Sequence, residues 1–498
     1  MASHEIELKA GLSADESSQM LRTLEADYGP GQAAAHLRTI YFDTPAQTLK
    51  SAGLSLRIRR ENGRSVQTVK SGRAGLGGFQ SVREFDDPVT GIKPRIEAIS
   101  DRSVRESIEA AVQSTLLVPQ FETRVCRTRW HVAEPHGEIE ISIDEGDILA
   151  DGRRATIREM ELELKGGTPE ALFDLADRLL GQTRACLTLD SKAARGFALV
   201  AGKDNPAEAM SSKPEPAAGS TDVETAFDAV LGMLAVAIAG NLYATLTRPD
   251  AEGPHQLRVA LRRLRSALDL FSPIIDKAVA KHLKMTARDI ARAVSPLRDA
   301  DAQCEIVLAA DHGFRGSSLK EALDQHREEL WFETQELLRR KEATRFALQL
   351  QRLAVLGTWR RAKAKRLSSP LSSMGRAQLK RRWDRIAPLG DRLAILSEDE
   401  RHNLRKKLKN FRYMIEMIDV NSIITIDVKA LKRLQLALGA LNDRAVLAAW
   451  SPSLKSFDAQ ARLAEIREAL LSSGKQNADL AMGRACRQWR TLRHSAAF

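Results

Sequence analysis

Between Gly202 and Asp222 the chain changes its periodicity, and that change constrains the fold more than any other feature. Before it, short runs alternate polar and apolar residues at every second position, the period of a strand whose two faces meet different surroundings. After it, Leu, Ala and Arg recur at helical spacing, Gly and Pro become sparse, and the pattern continues to about Arg493. The stretch between them (KDNPAEAMSSKPEPAAGSTD) is too rich in Pro, Ser, Gly and charge to bury much apolar surface and reads as a linker. A length of 498 residues exceeds one ordinary core. The expected organisation is an α+β domain over 1–201, a linker over 202–222 and an all-α domain over 223–493.

Charge divides along the same line. Residues 1–200 hold 26 lysines and arginines against 30 acids, whereas the remaining 298 hold 50 against 35. A basic half of this kind expects a polyanion, either nucleic acid or polyphosphate. Cys126, Cys186, Cys304 and Cys486 lie far apart with no C-x-x-C pair, which offers neither a zinc framework nor a disulfide scaffold and fits a reducing cytoplasm. Met1 to Lys9 carries charge at alternate positions rather than an apolar signal core, so no cleaved targeting peptide is expected. The most apolar stretch, Ala226 to Leu246, is interrupted by Asp228 and Asn241 and reads as a buried bundle helix, not a membrane span.

Within the first 200 residues, Ser55–Arg60 and Ser65–Lys70 flank Asn62-Gly63, a pair suited to the positive φ angles of a tight hairpin turn. Further strand patterns occupy Arg124–Val132, Glu138–Asp144 and Arg158–Lys165, and helical patterns occupy Ser13–Asp27, Val104–Ser114 and Pro169–Leu180. Alternation puts Glu5, Glu7 and Lys9 on one face of a strand; Glu161, Glu163 and Lys165 repeat the arrangement. Arg57 and Arg59 share a face, as do Thr68 and Lys70, and Glu138, Glu140, Ser142 and Asp144. An ordinary half-exposed sheet also alternates, but here the acids come in i, i+2 pairs and the arginines sit on strands without inward acids. Clustered carboxylates suit a hard divalent cation, and clustered guanidinium groups suit phosphate oxygens. A surface bearing both suits a metal–phosphate complex.

In this order, Glu5-Ile6-Glu7-Leu8-Lys9, Tyr41-Phe42-Asp43-Thr44, Leu54–Arg59, Thr68-Val69-Lys70, Asp144-Glu145-Gly146, Glu161–Lys165 and Ser191–Gly196 resemble the CYTH superfamily, the triphosphate tunnel metalloenzymes. The resemblance implies an eight-stranded antiparallel β-tunnel with flanking helices. It makes Glu5, Glu7, Glu161 and Glu163, with Asp144, ligands of Mg²⁺ or Mn²⁺, and Lys9, Arg57, Arg59, Lys70, Arg127, Lys165 and Lys192 phosphate contacts. The family's Arg two residues before a tunnel Glu is Val82 here, and Arg83 is left out of the set.

The helical half contains a repeat. His255, Arg258, Arg262 and Arg265 have the spacing of His402, Arg405, Lys409 and Arg412, and Leu297-Arg298-Asp299 and Leu441-Asn442-Asp443 follow about forty residues later. Each basic set falls on one helical stripe, within an arc of roughly 80°, beside an apolar stripe: Leu257, Leu261, Leu264, Leu268 in one helix and Leu404, Leu408, Phe411, Ile415 in the other. Arg401 to Arg412 shows a dense basic run read as lacking acids at i+4, so its self-repulsion asks for an external anion. Arg360–Arg366 and Lys380–Arg382 extend the expected basic surface.

These repeats resemble the CHAD domain, over about 223–493. That resemblance implies two four-helix bundles related by a pseudo-twofold, a groove binding inorganic polyphosphate, and Asp299 and Asp443 orienting basic side chains or capping helices. The combined expectation is a metal-dependent inorganic triphosphatase with a polyphosphate-binding module, cytoplasmic and associated with polyphosphate granules. Neither a membrane nor nucleic acid is the expected partner, because Phe411, the aromatic among the cations, belongs to the apolar stripe instead of a base-stacking platform. The alternatives are a polyphosphate-binding scaffold of little catalytic power and a CYTH enzyme acting on an organic triphosphate.

Overall fold

The computed structural model describes residues 3–72, 79–181, 183–203, 207–218, 220–311, 318–339, 341–360, 364–419 and 423–498. Among the described residues two-residue alternation gives nine strands: β1 (Ser3–Gly11), β2 (Ala35–Asp43), β3 (Leu54–Glu61), β4 (Arg64–Ser71), β5 (Phe79–Val89), β6 (Val118–Glu134), β7 (Gly137–Ala150), β8 (Arg153–Gly167) and β9 (Cys186–Leu187). Eight of them run in the order β5-β4-β3-β2-β6-β7-β8-β1 and close through an antiparallel β1–β5 pairing. Closure leaves no open edge between these eight strands. The short β9 pairs with Ala10 and Gly11 at the end of β1, beyond the last β5 partner, Leu8. The β3–β4 turn places Asn62 at φ 47° and Gly63 at φ 80°, the left-handed pair that its sequence predicts.

The barrel is apolar outside and polar inside. Outward residues Leu56, Ile58, Val69 and Phe85 pack under the Arg102–Val112 helix through Val104, Ile108 and Val112. A second cluster joins Phe121, Val125, Ile148 and Ile157 to Phe197 of the Lys192–Val200 helix. Gly196 is required there, since a Cβ on it would lie 2.1 Å from the Phe121 ring. Gly146 is required on β7, where a Cβ would lie 2.0 Å from the Arg124 carbonyl oxygen. The Tyr41-Phe42-Asp43-Thr44 motif is structural at Asp43. Its buried carboxylate accepts the backbone N–H groups of Thr44 at 2.7 Å, Leu49 at 2.9 Å and Lys50 at 3.0 Å.

The chain divides into two compact units, each assembled from separate stretches of sequence. The first comprises Met1–Met210 together with Ala235–Arg248 and Leu338–Leu356; the second comprises Ser211–Leu234, Pro249–Leu337 and Gly357–Phe498. Two helical stretches of the C-terminal half thus belong to the barrel unit. The Lys341–Leu356 helix buries Phe346, Ala347 and Leu350, and its Arg345 makes two 3.0 Å bonds to Asp177 of the Pro169–Leu180 helix. Periodicity predicts such helices without saying which neighbour covers their apolar face. The expected linker is tied down where it is described. Asn241 accepts from Met210 N at 2.8 Å and donates to its carbonyl at 2.9 Å, and Arg263 donates to the buried Ser212 hydroxyl at 2.9 Å.

In the second unit the Glu252–Leu270 helix packs on Lys277–Ala293 and Ser295–Ala310, and also on the Glu398–Glu416 helix. Both predicted apolar stripes are buried, with Leu257, Leu261, Leu264 and Leu268 in one helix and Leu404, Leu408, Phe411 and Ile415 in the other. One helix, Val223–Thr247, is long and apolar enough to cross a membrane, and 72% of its most apolar window is buried inside the protein.

Candidate active site

Strand alternation turns the charged faces of the barrel into the walls of a cavity of about 770 Å³. Every predicted phosphate contact and four of the five predicted metal ligands line it: Glu5, Glu7, Lys9, Arg57, Arg59, Lys70, Arg127, Glu161, Glu163, Lys165 and Lys192. The fifth ligand, Asp144, is fully buried behind that wall. Val82 lines the cavity and Arg83 is exposed, so the omission of Arg83 agrees with its position.

Register sorts the charges. Glu140 of β7 is the cross-strand partner of Glu163 of β8, and Glu163 is the partner of Glu7 of β1, so three carboxylates stand in one row. Like charges directly opposite one another repel. Burial, with Glu161 and Glu5 adding to it against the pull of Lys9, holds the Glu7 carboxyl above its usual range. Burial and the neighbouring Glu5 and Glu140 do the same to Glu163, although Lys165 lies 2.6 Å away. Lys9 and Lys165 compensate the row only in part, since both carboxyls stay above their usual range. Their donor set is oxygen only, which suits Mg²⁺ or Mn²⁺, so a divalent cation fits this row.

Asp144 and Glu161 are differently placed. Arg127 binds Asp144 through two 2.6 Å bonds and reaches Glu161 at 2.5 Å, while Lys192 lies 2.7 Å from Asp144 and 3.0 Å from Glu161 and also bonds Glu159. Lys9 approaches Glu161 at 2.8 Å and Glu7 at 3.1 Å. Despite complete burial, Lys192, Lys9 and Arg127 hold Glu161 well below the ordinary carboxylate range. Asp144, Glu159 and Glu161 bring three carboxylate oxygens within 4.8 Å of one another, but protein cations already occupy that cluster. Glu159 and Glu140 were not among the predicted ligands. The signal for Glu159 is the continued alternation Glu159, Glu161, Glu163; the signal for Glu140 is its cross-strand register, which the sequence does not display.

The opposite wall is cationic. Counting round the barrel, β3 lies four strands from β8, and its Arg57 and Arg59 face the interior. Arg57 donates to Glu84 at 2.9 Å. Lys70 bonds Glu5 and lies 3.6 Å from Glu84. Arg59 is left over: its Nε is buried without a hydrogen-bond partner, and among the described residues it makes no ion pair with a carboxylate. Repulsion from Arg57, then burial and Arg127, pulls the Arg59 guanidinium down to about 10. A phosphate oxygen would satisfy this group. Nine lysines and arginines and eight carboxylates line the cavity, and the two signs are segregated enough to receive a cation and an anion together.

The second unit carries the twin basic helices. His255 Nδ1 accepts from Arg298 Nε at 3.1 Å, and His402 Nδ1 lies 2.5 Å from Asn442 Oδ1, so each histidine meets the same position of its following motif. Burial, then Arg298, hold His255 below its usual pKa, with Lys409 of the other basic helix adding to the effect. Arg258 donates to Asp299 at 3.2 Å, as expected; the Asp443 side chain lies outside the described residues. Arg262 and Arg265 are half-buried, and Arg265 is held down by burial, then Arg288, Arg262 and Arg292. The basic run is less bare than expected, since Arg412 pairs with Glu416 at i+4 across 2.8 Å. Arg360 is bound by Glu224 and Asp228 and Arg382 by Asp269, so neither adds a free cation to the surface; residues 361–363 lie outside the described set. Arg405 and Lys409 lie on the same Glu398–Glu416 helix.

Comparison with protein families matches residues 3–197 to the CYTH domain and residues 229–451 to the CHAD domain. Over 195 residues the chain is 30% identical to the inorganic triphosphatase of Haemophilus influenzae, covering 39% of this chain and 54% of that protein. The chain therefore matches about half the length of this curated relative. Among solved structures, the CHAD domain of the plant Ricinus communis is 22% identical, with 58% of this chain and 97% of that chain covered and a TM-score of 0.43. A putative adenylyl cyclase from Hippeastrum, described as having a dominant triphosphatase activity, is 22% identical over 41% of this chain and 98% of that chain, with a TM-score of 0.29. The chain thus carries a CYTH domain followed by a CHAD domain.

Proposed function

We propose that the barrel cavity hydrolyses inorganic triphosphate to pyrophosphate and phosphate with Mg²⁺ or Mn²⁺, and that the helical unit binds inorganic polyphosphate. The observation that carries the first part is the buried Arg59, unpaired among the described residues, across the barrel from the like-charged row Glu140, Glu163 and Glu7. Arg59 has no carboxylate partner among the described residues, and the row has three carboxylates against the two lysines beside it, Lys9 and Lys165.

A divalent cation in the acidic row would supply charge neutralisation on bridging phosphate oxygens and a Lewis acid for phosphoryl transfer. Arg57 and Arg59 would hold non-bridging oxygens, with Lys70, Lys9 and Lys165 along the side walls. Arg127 and Lys192 are committed to Asp144, Glu159 and Glu161, so they form a fixed, charge-compensated floor beneath the substrate. Glu161 stays an anion and fixes those cations. Glu163, in the row that would hold the cation, would act as one of its ligands. Glu5 and Glu7 complete the acidic wall.

For the helical unit, half-buried Arg262 and the mutual repulsion of Arg265, Arg288 and Arg292 support a polyanion contact. His255, Arg258, His402, Arg405, Lys409 and Arg412 belong to the same paired helices. The 30% identical inorganic triphosphatase supports the substrate class for the barrel. A panel of tripolyphosphate, long polyphosphate, ATP and thiamine triphosphate with each metal tests the first part. Phosphate release that prefers tripolyphosphate supports it, and turnover confined to the organic triphosphates sinks it.

A further inference from the structure

We propose that Tyr243 and Thr344, two residues from the helical half of the sequence, are positioning residues for the triphosphate cavity; the inference rests on the reading of that cavity given above. Both belong to the barrel unit, through the Ala235–Arg248 and Leu338–Leu356 stretches.

Both grip the segment that delivers Lys192. The buried Thr344 hydroxyl donates to the Ala185 carbonyl at 2.8 Å, at the start of β9. Leu187 pairs with Ala10 of β1, and Thr188 N donates to the Lys9 carbonyl at 3.0 Å. The Tyr243 hydroxyl lies beside the Thr188 side chain, and Gly240, one turn earlier on that helix, sits where an added Cβ would lie 3.6 Å from Leu189. Leu189, Ser191 and Lys192 then line the cavity, and the Ser191 hydroxyl caps the Lys192–Val200 helix by accepting from Ala194 N at 3.1 Å. The segment 185–192 is therefore held by β1 on one side and by two helical segments remote in sequence.

Its two-residue strand is too short to fix a backbone by itself, because few ladder bonds offset the ordering of the chain. Thr344 and Tyr243 supply the missing restraints. The Arg345–Asp177 and Arg352–Asp174 pairs, the latter at 2.5 Å, hold the Thr344 helix against the Pro169–Leu180 helix. Loss of either restraint loosens the approach to Lys192 without touching a group that contacts substrate.

The experiment compares the full chain with Thr344→Val, Thr344→Ser and Tyr243→Phe by hydrogen exchange and by tripolyphosphate turnover with Mg²⁺. Exchange in peptides covering 183–192 should rise at least tenfold in Thr344→Val and Tyr243→Phe, with other barrel peptides unchanged and Thr344→Ser restored. The KM for tripolyphosphate should rise three- to tenfold while kcat stays within twofold. Unchanged exchange in both variants overturns the proposal, as does exchange that rises equally throughout the barrel, or faster exchange with an unaltered KM. If Thr344→Val does not fold, Tyr243→Phe decides by the same criteria. A wild-type chain that releases no phosphate overturns the triphosphatase reading instead, and exchange in 183–192 then decides the positioning claim by itself.

Discussion

Replacing Arg59 by Met should make the ligand-free protein more stable while removing its grip on triphosphate. The Arg59 guanidinium is pulled down to about 10 by Arg57, burial and Arg127. At roughly 1.4 kcal/mol per pH unit, keeping that group charged in the folded protein costs at most about 3 kcal/mol. The sign follows from linkage: a base whose folded value is depressed carries its full penalty below about 10 and sheds it as the pH rises from there towards the ordinary guanidinium range. At neutral pH the penalty is therefore complete. Met keeps most of the apolar stem and removes the charge. The thermal midpoint without ligand should rise, by at most about 6–12 °C, using about 2–4 °C per kcal/mol for a domain of this size. Arg57→Met is the contrast. Arg57 bonds Glu84 at 2.9 Å and its pKa is raised, so its loss should lower the midpoint. Both variants should lose most phosphate release, and Arg59→Met should lose more than half of the stabilisation by Mg²⁺ and tripolyphosphate, which for the wild type is about 2.7 kcal/mol at a hundredfold excess over Kd. Differential scanning fluorimetry with and without ligand reads all of these. A midpoint lowered equally by Arg59→Met and Arg57→Met would refute the reasoning.

Glu163→Gln and Glu7→Gln should leave the ligand-free fold intact and abolish the midpoint shift produced by Mg²⁺ or Mn²⁺, measured by titration of each metal. Because both carboxyls sit above their usual range, their charge costs stability above the unfolded pKa and the cost is relieved as pH falls through the folded value; metal affinity should accordingly begin to fall at a pH above that of an ordinary carboxylate, checked by metal titrations between pH 8 and pH 5. Glu161 behaves oppositely, contributing stability above its unfolded pKa that is lost only at more acid pH. Gly146→Ala, which would press a Cβ to 2.0 Å from a backbone oxygen, should cost about 3 kcal/mol or more, and a thermal midpoint within a degree of wild type would contradict the close approach. Arg262→Ala should weaken long polyphosphate binding and flatten its salt dependence while leaving tripolyphosphate turnover unchanged, read by binding isotherms at several ionic strengths.

Strand alternation made the interior of the barrel legible, because one-sided charge on a strand fixes which face turns inward: Glu5, Glu7, Lys9, Arg57, Arg59, Glu161 and Glu163 all reach the cavity. The Asn62-Gly63 hairpin was equally readable, since its turn chemistry is local. Register was not. Only the pairing of β7, β8 and β1 shows that Glu140 joins Glu163 and Glu7, and that Asp144 is spent on Arg127 and Lys192. The helical half disclosed its repeat and its buried stripes, whereas partners distant in sequence, such as Glu224 for Arg360 and Asp269 for Arg382, were hidden from any local count of charge. For the same reason periodicity marked the second half as helical without showing that 338–356 groups with the barrel unit.

The most direct test of the account is phosphorus NMR of tripolyphosphate incubated with the protein and Mg²⁺ or Mn²⁺. The account predicts one pyrophosphate and one phosphate per triphosphate consumed, no reaction when the metal is chelated, and none with Glu163→Gln. Undiminished turnover by Glu163→Gln, or by the chelated protein, would contradict it.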